Sequence, residues 1–242
     1  MNILAFDSST RVAAVAVANE ERILASVTVD SGMTQSELLL PLARKALEAA
    51  HLTLEDIGLF AVTVGPGSFT GVRIGTSLVK GLAFGRGIPC APLSVMEILS
   101  DNLFPLDGIY CPVCDARRGQ VYNALFCEKD GELFRLTPDR LIPAQKLLAE
   151  LAAQYPDTPI RLCGDATEAV TRLAAEVTPT LHLPPTPPAL LLSDGGAVAR
   201  RGLACYRRGE TVDDLSLAPV YLRPCQAERE RLEKEQLAKE NI

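Results

Sequence analysis

Residues 2–30 read NILAFDSSTRVAAVAVANEERILASVTVD. Three runs, NILAFD (2–7), VAAVAVA (12–18) and RILASVTVD (22–30), are apolar and joined by tight polar links, so they predict three consecutive strands. The first two are almost continuously apolar or small, as central strands covered on both faces would be. A helix follows. In TQSE (34–37), Thr34 takes the N-cap and Glu37 the N3 position of a capping box. The apolar pattern of Leu38, Leu39, Leu42, Ala46 and Leu47 then runs to Ala50. Pro41 lies beyond the first turn, removes a helical hydrogen bond and predicts a kink. LFAVTV (59–64) predicts a buried strand and residues 70–86 a helix. IPCAPL (88–93) predicts a short strand whose prolines mark either an edge strand or the strand's ends, and Ser94 with Glu97 a second capping box opening a helix to about Leu103.

From residue 107 the same order returns. GIYCPVCD, QVYNALFCE and ELFRLT predict three strands, PAQKLLAELAAQ (143–154) a helix, IRLCGD (160–165) a strand and ATEAVTRLAAEV (166–177) a helix. PTLHLP (179–184) predicts a short strand, and after a Pro-rich loop at 184–188 the run ALLLSDGGAVARRGLACYRRG is mostly helical. Asp7 and Asp115 each end the first strand of a copy, and Gly65 and Gly164 each end the fourth. The expected fold is α/β: a tandem ribonuclease-H-like duplication, the architecture of the actin-like ATPases and sugar kinases (the ASKHA fold), with the second copy reduced. The expected boundaries are 1–106 for the first unit, 107–225 for the second, whose C-terminal helix is a candidate to pack back on the first, and 226–242 for a charged tail. That tail carries favourably ordered pairs Glu230–Lys234 and Glu235–Lys239 but no wide apolar face, so it is expected to stay solvated.

The 242 residues are 48% hydrophobic, enough for a substantial core, but only 5% aromatic and without Trp, so Ala, Leu, Val and Ile must fill it. A net charge of −6 opposes a broad electrostatic grip on nucleic acid by this chain alone. No apolar stretch approaches the roughly 20 residues that span a bilayer, and MNILAFDSST lacks a basic leader, so a cytoplasmic protein without membrane contact is expected. Seven cysteines, an odd number, fit free thiols in a reducing compartment. Cys111 and Cys114 of CPVC fall in a strand, where i and i+3 point to opposite faces, so chelation is not expected. His51 and His182 have no ligand partner nearby in sequence. No metal site and no catalytic residue are expected, and a peptidase reading finds no nucleophile–base pair.

Two loops carry what chemistry there is. In DSST (7–10), Asp7, Ser8, Ser9 and Thr10 form either an ordinary polar turn or an anion cup in which Asp7 acts through a metal or water. In GPGSFTGVRIG (65–75), Pro66 fixes φ, Gly65 and Gly67 admit conformations closed to other residues, and Ser68 and Thr70 can both cap the helix that follows, Thr70 being the expected N-cap; free amides at that helix start favour an anion. The stretch lacks GK[ST] and GxGxxG, so it is neither a Walker A loop nor a dinucleotide fingerprint. Gly71 and Gly75 strip one helix face at a cost of roughly 1 kcal/mol each, which a closely packed backbone, from this chain or a partner, should offset. Arg73 opposes the helix dipole and fits either a surface ion pair or an anionic partner. In CDARRGQVY, Arg117 and Arg118 stand where an ATPase of this architecture wants small residues, and Gly164 is followed by Asp165 rather than a second glycine. The nucleotide cleft reads as half built.

ILAFDSST, QSELLLPLARKAL, GPGSFTGVRIG, CDARRGQVY and LAPVYLR together resemble the TsaB (YeaZ) family over residues 3–223. Gln35 departs from the pattern, since many members carry His there. The resemblance implies a non-catalytic scaffold and activator in the making of threonylcarbamoyladenosine next to the tRNA anticodon. It implies pairing with the catalytic paralogue TsaD through helices of the first unit, joined by the ATPase TsaE, with self-association when TsaD is absent. tRNA is then met only through the complex, and no cofactor is required beyond ATP in the assembled complex. The implied interface residues are Leu38, Leu39, Leu42, Gly71, Arg73, Ile74, Gly75 and Leu78. Asp7, Ser8, Ser9, Thr10, Gly65 and Gly67 are then a residual nucleotide or anion loop. The competing reading is an autonomous ATP-dependent kinase or ATPase of the same fold.

Overall fold

The computed structural model describes residues 1–223; the expected charged tail at 226–242 lies outside them. The opening strands β1 (Asn2–Asp7), β2 (Ala13–Ala18) and β3 (Ile23–Val29) form an antiparallel meander. Helix α1 (Gln35–Ala49) leads to β4 (Ile57–Gly65), and α2 (Phe69–Ala83) to β5 (Cys90–Ser94). Both return strands run parallel to β1, giving the sheet order β3-β2-β1-β4-β5. Every residue of β2 is buried, because helices cover both faces. Leu39, Leu42 and Ala46 of α1 and Val79 and Ala83 of α2 pack on one face with Phe6, Val15 and Phe60.

Helix α3 (Val95–Asp101) joins the halves and seats Met96 and Leu99 against Tyr110 and Phe126 of the second half. There β6 (Ile109–Asp115) is the central strand, flanked by β7 (Gln120–Asn123), β8 (Phe126–Lys129), β9 (Glu132–Arg135) and β10 (Arg140–Pro143). QVYNALFCE is not one strand, but β7 and β8 pair with β6 at a single offset, Val113 with Asn123 and Ile109 with Cys127, so they are two halves of one arm. The break falls opposite Pro112, which has no N–H to donate; Asn123 Nδ2 turns in to donate to Pro112 O at 2.9 Å. Strands β9 and β10 line the outer side of the two halves. After α4 (Ala144–Gln154), β11 (Ile160–Cys163) pairs parallel on the far side of β6, followed by α5 (Thr167–Val177). The strand order of the first sheet thus recurs, minus its fifth strand.

That missing strand corrects one expectation. PTLHLP forms no strand; the proline-rich chain follows β11 through isolated bonds, Ile160 N–H to His182 O at 2.9 Å and Gly164 N–H to Leu191 O at 2.6 Å. Prolines cannot supply a regular ladder. The last helix, α6 (Gly195–Arg207), is shorter than expected and crosses back to the open face of the first sheet. Gly202 permits the approach, since a Cβ there would lie 2.5 Å from that of Ala61. Residues 208–223 then run as a strap over the edge of the first sheet. Val212 and Cys90 exchange backbone hydrogen bonds of 2.8 Å, Lys80 Nζ donates to Leu215 O and Leu217 O, and Val220 N–H reaches Val64 O at 2.7 Å. No helix among the described residues is long and apolar enough to cross a membrane.

Candidate functional site

The site is built where β1 and β4 end beneath the start of α2. Asp7 is fully buried, and its Oδ1 accepts from Ser9 N–H (2.9 Å), Ser9 Oγ (2.6 Å) and Thr63 Oγ1. Among the described residues its buried Oδ2 has no partner, nor has Thr10 Oγ1. Gly65 has φ +122° and a cis bond to Pro66, which turns the chain into α2. Ser68, not Thr70, is the N-cap: its Oγ accepts Gly71 N–H at 3.2 Å. Thr70 falls two residues past the cap, inside the first turn, and is exposed.

Gly71 and Gly75 of α2 now find their reason, and it is inside the chain. A Cβ on Gly71 would overlap Ser8 O, one on Gly67 would overlap Ser9 O, and one on Gly75 would lie 2.5 Å from Ser8 Oγ. Ser68 N–H donates to Ser9 O at 2.7 Å and Ser8 Oγ to Gly71 O at 2.8 Å. The two loops expected to cup an anion are therefore stitched to each other. Carbonyl oxygens of Ser8 and Ser9 occupy the approach to α2 where a phosphate would need N–H donors, and a buried, half-satisfied carboxylate lies behind them. These residues do not fit a nucleotide phosphate.

The equivalent corner of the second half carries an exposed arginine loop. Arg117 and Arg118 adopt left-handed backbone, φ +66° and +57°, ahead of Gly119 at +70°. Such conformations cost L-residues about 1–2 kcal/mol each. Arg117 N–H donates to Asp115 Oδ1 (2.7 Å) and Asp115 N–H to Asp165 Oδ1 (2.9 Å). Although Asp165 has open surface, the cleft wall desolvates its carboxyl and pushes its pKa up, with Asp115's charge adding to the shift and Arg11 opposing it. The CPVC thiols are inert. Cys111 and Cys114 belong to cores on opposite faces of β6, and burial pushes the Cys111 thiol up to about 12. Among the described residues no group of His, Cys, Asp and Glu side chains gathers to hold a metal.

The expected interface residues separate into two sets. Leu39 and Leu42 point into the core at 1% and 8% exposure and cannot touch a partner, because α1 turns its 39, 42, 43, 46 stripe inward. Gly71 and Gly75 are likewise buried under the 7–10 loop. Leu38, Ile74 and Leu78 are half-buried along the seam between α1 and α2, and Arg73 is exposed. Leu40 and Phe84, at 54% and 74% exposure, extend the apolar surface and were missed. Three consecutive leucines at 38–40 signalled that one must face out of any single helix. Beside Leu40 a shallow groove of about 230 Å³ is lined by Ala43, Leu47, Leu52 and Leu82. Gln35, at the first turn of α1, holds the 10–12 loop: its Nε2 donates to Thr10 O and Val12 O at 3.1 Å.

Comparison with known proteins adds an independent line. A family model described as TsaD, tRNA N6-adenosine threonylcarbamoyltransferase, matches residues 31–180. The tRNA threonylcarbamoyladenosine biosynthesis protein TsaB of Bacillus subtilis is 33% identical over 177 residues, covering 73% of this chain and 76% of the relative. TsaB of Escherichia coli is 27% identical over 232 residues, covering 92% and 95%. YeaZ from Pseudomonas aeruginosa superposes with a TM-score of 0.76 at 26% identity, covering 91% of this chain and 99% of that one.

Proposed function

The chain belongs to the TsaB (YeaZ) family, and from that membership we propose that it is a non-catalytic subunit in the synthesis of threonylcarbamoyladenosine on tRNA. In this role it docks TsaD, the threonylcarbamoyl transferase, through the outer faces of α1 and α2, and TsaE joins the pair. Without TsaD the same face serves self-association. The observation that carries the reading is the closure of the cleft: the carbonyls of Ser8 and Ser9 sit on Gly67 and Gly71 where phosphate donors would be required. Further support comes from the apolar surface of Leu40, Phe84 and the half-buried Leu38, Ile74 and Leu78 beside the shallow groove. The chain's contribution to the reaction is therefore positional. It offers a rigid two-sheet body whose docking face steadies the transferase, and no proton or group passes through its own side chains.

Reconstituted threonylcarbamoyladenosine formation with TsaD and TsaE tests this. Asp7→Asn keeps the Oδ1 acceptor and is expected to support wild-type rates. Ser77→Arg, on the exposed side of α2, is expected to abolish co-purification with TsaD and product formation while leaving the melting temperature unchanged. A chain that hydrolyses Mg-ATP unaided, and loses that activity with Asp7→Asn, would instead be an autonomous ATPase.

A further inference from the structure

Arginines in this chain are generally held by carboxylates: Arg11 by Asp30, Arg86 by Glu55, Arg140 by Glu150, and Arg200 and Arg201 by Asp101. Among the described residues Arg22, Arg73, Arg118 and Arg223 form no such pair. Arg22 stands apart, just before the edge strand β3. The other three are brought to one lip of the cleft by the strap. Arg73 lies 3.8 Å over the ring of Phe69, its Nε donates to Tyr221 Oη at 2.7 Å, and the Phe69 and Tyr221 rings lie 4.8 Å apart at a 35° tilt. Two residues on, Arg223 Nη1 donates to Ala116 O at 2.8 Å, which fastens the strap to the loop that exposes Arg118. Arg117 belongs to the same loop but is paired with Asp115.

We propose that this lip, Arg73, Tyr221, Arg223 and Arg118, binds an RNA strand, a partner identified as tRNA only through the function proposed above. Two of the cations stand at backbone positions that disfavour them. Arg73 sits in the first turn of α2, against the helix dipole, and Arg118 takes a left-handed backbone at the tip of its loop. A phosphodiester offsets both. The Phe69–Arg73–Tyr221 cluster, with Tyr221 41% exposed, adds aromatic and guanidinium surface of the kind that contacts unstacked bases in single-stranded RNA. Because the chain as a whole carries −6, the attraction is local: a polyanion is repelled elsewhere and oriented onto this lip, with Asp115 and Asp165 marking its inner limit.

The test is an anisotropy titration of a labelled, unmodified tRNA transcript with the full chain in complex with TsaD, across a series of KCl concentrations. Arg118→Ala/Arg223→Ala is expected to weaken binding at least tenfold and to flatten the plot of log K against log salt by about 1–2, roughly one unit per lost phosphate contact. Arg22→Ala should leave both unchanged. Arg118→Glu, at an exposed position, makes the same test if the double variant melts early. An unchanged salt slope with TsaD still bound overturns the lip and leaves the subunit reading intact. Normal RNA binding with lost TsaE association overturns it in favour of an acidic protein partner. Loss of binding on removing residues 224–242 alone overturns it in favour of the tail. Failure of the wild-type chain to pair with TsaD overturns the subunit reading, and this inference with it.

Discussion

Gly71 shows at the level of one residue why this chain is built as it is. The sequence demanded a close backbone approach at Gly71 and Gly75 but could not say whose backbone, and the family resemblance pointed outward to a partner. The contact is internal, from the carbonyl of Ser8. Gly71→Ala therefore has to displace a main-chain oxygen and should lose about 2–3 kcal/mol in urea unfolding, near the upper end for overpacking. Gly81→Ala, on the same helix with open space around it, should gain about 0.5–1 kcal/mol. Asp165 gives a pH-dependent case. Its folded pKa is raised, so the native state binds protons more readily than the unfolded one, and its contribution to stability falls as pH rises through that interval. Asp165→Asn, which keeps the acceptor for Asp115 N–H, should raise the melting temperature at pH 7 and lose the advantage below pH 4.

Elements were legible where side-chain period decided them and illegible where a single backbone group did. The box at Thr34 and Glu37 is formed, with Thr34 N–H donating to Glu37 Oε2 at 3.1 Å. At Ser94 only half forms: Ser94 Oγ accepts Glu97 N–H at 3.4 Å, while the Glu97 carboxylate turns to Arg135 and Arg201. Helix α1 runs as one element through Pro41. The interruption of QVYNALFCE followed from one missing N–H in the opposite strand, which no pattern within the run itself reveals. The strap was also invisible, because LAPVYLR has neither period; its order comes from isolated bonds to Cys90, Val64 and Ala116. The inward stripe of α1 separates stability from docking. Leu39→Ala should cost about 2–5 kcal/mol. Leu40→Ala should change stability by no more than about 0.5 kcal/mol yet weaken TsaD pairing, read by chemical denaturation and by co-purification of the same variants.

At the scale of the molecule, the duplication was readable because order of elements survives where letters do not. The first copy matched closely. The second departed wherever proline replaced a donor, at Pro112 and along 184–188. What the sequence left open was the state of the cleft, since the same DSST and GPGS residues serve an anion cup and a self-satisfied turn equally well. In the structure Ser8, Ser9 and α2 close on one another, while Arg117 and Arg118 stand exposed at the opposite corner. That closure supports the docking role proposed above. Calorimetric titration of the isolated chain with Mg-ATP examines that closure directly. Heats indistinguishable from dilution up to millimolar nucleotide are expected; micromolar binding accompanied by turnover would contradict it.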